Sequence, residues 1–182
     1  MNLVKFLVVE AFLIYGILAI VMPIISITTY NIINVEYLSI LEMSISIISI
    51  IYSILLEKAN TQTLRKILIF GNYINIISNI ILIIPIINND ILIYWVLGNL
   101  QFVVITKLLT TSDIKINNVY FSPEDFVYQA NINLYLFPIT TMIGASINIM
   151  FKLDFQVACI LLAIVETVVS IIELYVIKKF YI

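Results

Sequence analysis

Long apolar runs alternate with short polar breaks along the whole chain, and the runs cover residues 6–27, 37–56, 67–87, 91–109, 126–151 and 155–177. A helix of about 20 apolar residues crosses about 30 Å of hydrocarbon, so the pattern predicts six transmembrane spans. Barrel strands would alternate in polarity over about ten residues, which these runs do not do. Lipid offers no partner to an open backbone, so helices are the expected form even for isoleucine, whose helix propensity in water is modest. The first run is longer than a signal-peptide core, contains Glu10 and lacks a small-residue cleavage site, so it reads as a retained helix.

The breaks carry turn and capping chemistry. Asn88-Asn89-Asp90 and Lys152-Leu153-Asp154 predict tight antiparallel hairpins in which Asp90 and Asp154 cap the following helix. Ser122-Pro123-Glu124-Asp125 supplies a cap, a proline at the first helical position and two acids against the helix dipole. Pro23 and Pro85 fall near the outer ends of spans 1 and 3, whereas Pro138 and Gly144 lie within span 5, where they permit a kink and a close backbone approach.

Composition agrees with this class. Of 182 residues, 63% are hydrophobic and 11% charged, against roughly a quarter charged in a soluble domain. The expected fold is therefore an all-α integral membrane protein, a single six-helix transmembrane domain over residues 1–182. Lys5, Lys58, Arg65, Lys66, Lys107, Lys115, Lys178 and Lys179 fall on one side of this layout and Lys152 alone on the other. The positive-inside rule then places both termini in the cytoplasm of a cell-membrane protein. The net charge of −2 gives no reason to expect nucleic acid. Cys159 sits in an apolar run as a lipid-facing or packing residue.

Polar groups retained in hydrocarbon are the natural candidates for function, since a central charge costs at least about 2.5–3.5 kcal/mol on insertion scales. Glu166 lies eleven residues into span 6, near the midplane, with Glu10 and Glu42 shallower in spans 1 and 2. Each reads either as a proton- or cation-binding carboxyl or as an acid hydrogen-bonded between helices. Glu173 is set aside as near enough to the inner surface to reach water. Glu42, Ser46, Ser49 and Ser53 recur along one face of span 2, and Asn72, Asn75 and Asn79 along one face of span 3. Such stripes suit a solute pathway and helix packing alike. With no histidine, no metal-ligand spacing, no phosphate loop and no activated nucleophile, enzyme chemistry and a cofactor are not expected.

Glu57-Lys58 followed by Leu64-Arg65-Lys66 and Gly71, together with Met142-Ile143-Gly144-Ala145-Ser146, resembles the helix 2–3 loop and the helix 5 glycine motif of the major facilitator superfamily. Leu13-Ile14-Tyr15 in span 1 and Leu92-Ile93-Tyr94 in span 4 match as two three-helix repeats would. The chain looks like one six-helix half of such a transporter. That resemblance implies movement of a small solute, with a homodimer completing the pathway; the polar residues of the spans, Glu10, Glu42, Asn72, Asn75, Asn79 and Glu166, are the pathway or coupling candidates. The competing expectation is a non-transporting substrate-binding or accessory subunit beside a partner membrane protein.

Overall fold

The computed structural model describes residues 3–181, with side chains at all of these positions except 3–5, 7, 35, 42 and 149. The described residues are all-helical: α1 (Leu3–Ile32), α2 (Val35–Leu55), α3 (Thr61–Ile87), α4 (Ile91–Gln101), α5 (Lys107–Tyr120), α6 (Pro123–Phe151) and α7 (Phe155–Phe180). A π-helical segment, Phe102–Thr106, joins α4 to α5, so the chain makes six rods. Five rods are long and apolar enough to cross a membrane: α1, α2, α3, the α4–α5 rod and α7. The sixth, α6, is 29 residues long but carries Gln129, Asn131, Asn133 and Asn148, and it is not among the five.

The local signals in the breaks act as the sequence predicts. Asp90 accepts from the Ile93 N–H at 3.1 Å and Asp154 from the Val157 N–H at 2.8 Å. Asn89 and Lys152, each in the left-handed region, turn the chain ahead of these caps. Ser122 and Asp125 cap each other's backbone reciprocally at the start of α6. Past Leu109 the helix does not stop but runs on to Tyr120. This stretch contains Asp113, Lys115 and Asn117, too polar to read as a span, yet Ser112, Ile116 and Asn117 are buried against neighbouring rods.

Packing proceeds in a row. α6 lies on α1, α1 on α7, α7 on α3, α3 on the α4–α5 rod, and that rod on α2. Numbering the rods one to six along the chain, the spatial order is 5-1-6-3-4-2. Exchanging the first three rods with the last three reproduces the same order reversed. The order of the principal contacts is thus unchanged when the two three-helix halves are exchanged, with the α3–α7 contact at its centre.

Burial follows this row. The α3 stripe of Leu68, Gly71, Asn72, Asn75, Asn79 and Leu82 is buried. None of the described α2 side chains is buried, and in α6 only Thr140 and Gly144 are. Outward faces carry Ile50, Ile54, Ile77, Ile84, Leu134 and Met150, all exposed. Apolar surface on that scale calls for an apolar solvent. One end of the molecule closes over Leu64, Leu68, Ile116, Val176, Ile177 and Tyr181, which brings the ends of α3, α5 and α7 together. Phe6 of α1 joins this end through its rings with Tyr175 and Phe180.

Candidate functional site

Two of the three asparagines predicted as a stripe, Asn75 and Asn79, meet α7 and α4 in a buried polar seam. Gln101 donates through Nε2 to Asn75 Oδ1 and Asn79 Oδ1, both at 2.7 Å. Asn75 Nδ2 donates in turn to Ser170 Oγ at 3.1 Å, and Asn79 Nδ2 to Thr167 Oγ1 at 3.3 Å. Asn75, Asn79, Gln101 and Ser170 are all buried, so these amides have no recourse to water. Gln101 is held by the last turn of α4, directly before the π-helical segment, a helix irregularity that often marks functional sites. That segment is itself braced by α2, whose Tyr52 hydroxyl donates to the Val104 carbonyl at 3.1 Å.

Toward the basic end the seam continues into carboxyls. The Glu10 carboxyl of α1 and the Glu173 carboxyl of α7 are electrostatic neighbours. Asn72 Nδ2 donates to the Leu68 carbonyl at 3.0 Å. Asp113 of α5 is close enough to act electrostatically on both acids. It accepts from Asn117 Nδ2 at 2.8 Å, and Asn117 Oδ1 accepts from the Tyr181 hydroxyl. Glu10 Oε2 and Asn72 Oδ1 are buried with no partner among the described residues.

Of the residues singled out in the sequence, Asn72 lies buried on α3, Glu10 neighbours Glu173, and Asn75 and Asn79 join the seam. Glu166 does not join it: half-buried on α7, it has Tyr94 of α4 as an electrostatic neighbour and no hydrogen bond among the described residues. The Glu42 side chain lies outside the described residues. Ser49 and Ser53 of the α2 stripe bond back to the Ile45 and Ser49 carbonyls of their own helix. Cys159 is fully buried and packs. Glu173, set aside in the sequence, is half-buried on α7 as an electrostatic neighbour of Glu10 and Asp113.

Thr167, Ser170 and Gln101 complete the site without having been picked out. A signal for the α7 group was present, since Glu166, Ser170 and Glu173 follow the same four-and-three spacing as the stripes on α2 and α3. Gln101 had none. Two surface crevices, one beside Ser49, Ser53 and Glu57 on α2 and one between Tyr37 and Trp95, contain none of the seam residues. No family model, curated protein or solved structure matches this chain.

Proposed function

We propose that this chain is a small multi-pass membrane transport protein, comparable to one half of a transporter, which dimerises to move a small solute by alternating access. The supporting observation is the exchange symmetry of its packing: two three-helix halves meet at α3–α7, where the buried amides are concentrated. Repeats related in this way, with polar groups at their interface, are how many secondary transporters are built. In this reading α6 is the sixth span and both termini are cytoplasmic. A reporter inserted at Asn89 is then translocated, and finding it in the cytoplasm would sink the layout.

Glu166, with no hydrogen bond among the described residues, is the candidate coupling group. The test is solute uptake into vesicles under an imposed proton gradient, with pools of small solutes offered in turn. Glu166→Gln keeps shape and expression while abolishing the pH-dependent part of uptake. If Gln behaves as wild type and Glu166→Leu lowers stability, the residue holds helices together and carries no proton. A second reading, an accessory or substrate-binding subunit, is favoured by α2, which buries no described side chain and so has a face free for a partner. Co-purification of another membrane subunit, with no uptake by this chain alone, would select it.

A further inference from the structure

The two ends of the row each leave a helix face uncovered, and the two faces share one pattern. α6 lies on α1 through Gly144 and Asn148. On the opposite side of α6, Glu124, Tyr128, Asn131, Tyr135, Pro138 and Met142 follow one another at spacings of four and three, all of them exposed. α2 lies on the α4–α5 rod. The same spacing along α2 picks out Glu36, Ile40, Met43, Ile47, Ile50 and Ile54, again all exposed. A seven-residue repeat of this kind keeps one stripe of a helix facing a second helix along its length.

Lipid suits the α2 stripe but not that of α6, where Asn131 has no hydrogen bond among the described residues. An amide in hydrocarbon finds its partner on another helix. Charge at the two ends selects that helix. Leu56 belongs to the cluster at the basic end, and Tyr120 stacks on Tyr181 there, so α2 finishes and α6 starts at that end. α2 finishes before Glu57-Lys58, and α6 opens with Glu124 and Asp125; at the far end α2 opens with Glu36 and α6 finishes before Lys152. Asp125 and Asp154 are engaged as caps. An α2 laid against an α6 therefore brings Lys58 to Glu124 and Glu36 to Lys152, the match being cleaner at the far end because Glu57 flanks Lys58. Two copies of α2, or two of α6, related by a two-fold axis along the membrane normal would instead meet like charge at each end.

We propose that these two stripes are one interface: a second copy of the chain, related by such an axis, sets its α6 against α2 and its α2 against α6. Both edges of the row are then covered at once, which a single contact between two α2 or two α6 helices does not do. The interface rests on the transport reading for its dimer and for α6 as a span, and it assigns the helices and charges that hold the dimer together.

The test is cross-linking in native membranes that hold two differently tagged copies of the full chain, one with Glu36→Cys and the other with Lys152→Cys, treated with a short bis-maleimide. Cys159, fully buried, stays out of its reach. A cross-linked species carrying both tags is expected, and neither variant by itself gives a cross-linked dimer. Lys58→Cys with Glu124→Cys repeats the test at the basic end, so the outcome does not hang on the folding of one pair. In detergent, Lys152→Glu lowers the dimer association constant about twofold to fivefold, the range of an exposed ion pair, and adding Glu36→Lys restores it. Cross-linking within a single-variant population, or no mixed cross-link at either end, overturns the interface. Light scattering and vesicle uptake separate that failure from failure of the transport reading: a dimer or monomer that moves solute without the mixed cross-link loses the interface alone, whereas the mixed cross-link without uptake keeps the interface and loses transport.

Discussion

The α3–α7 and α1–α6 contacts face the same problem and meet it differently. Between helices in lipid the hydrophobic effect gives little drive to associate, so packing and hydrogen bonds must supply it. At α3–α7 the supply is polar: asparagine amides reach Ser170 and Thr167, and Gln101 ties two of them from α4. At α1–α6 it is proximity. Gly144 comes so close to α1 that a Cβ there would lie 2.7 Å from Ala19 Cβ and 2.8 Å from the Ala19 carbonyl carbon. One long-range amide contact, Asn148 Nδ2 donating to the Ile20 carbonyl, accompanies it. The lesson is that in this molecule polar residues mark the centre of the row, while its α6 end is held chiefly by the absence of a side chain.

The contrast yields ordered expectations. Gly144→Val has the largest effect, because the obstruction is backbone and Cβ, which cannot swing away; overpacking of this kind costs about 1–3 kcal/mol or more. It shows as early elution and a lower melting temperature in detergent. The same test at Gly71→Ala should change little, since its Cβ meets only the end of the flexible Leu109 side chain. Equal behaviour of the two variants would mean that α6 does not lie against α1 as described.

Gln101→Leu has the intermediate effect. It removes two bonds and leaves the Asn75 and Asn79 acceptors buried, at about 1–2 kcal/mol for bonds of this class in membranes. Adding Asn79→Leu should then cost less than in the wild type, because its acceptor is already stranded. Strict additivity in a double-mutant cycle of thermal stability would break the claim that the seam acts as a unit.

The rods and their breaks were legible because they depend on local causes. Runs of apolar residues force internal backbone pairing in lipid, while Asp90, Ser122 and Asp154 cap whichever helix follows them. The buried Asn stripe was legible too, because three amides at helical spacing on an otherwise Ile-rich helix cannot all face hydrocarbon cheaply. The continuation of the fourth rod to Tyr120 was not, since its polar residues are accommodated by α3 and α2, which lie nearby only in the folded chain.

What the sequence by itself determined is the all-helical class, the places where the chain turns and the polar face of α3, all of which follow from periodicity and capping. The tertiary structure decided which faces meet: that Gln101 bridges Asn75 and Asn79, that Glu173 neighbours Glu10 and Glu166 does not, and that the order of the principal contacts is unchanged when the halves are exchanged. Helical spacing fixes the side of a rod on which a residue sits, but the neighbour on that side is set by the fold, which brings together residues as far apart as Glu10 and Glu173. No local rule encodes that pairing.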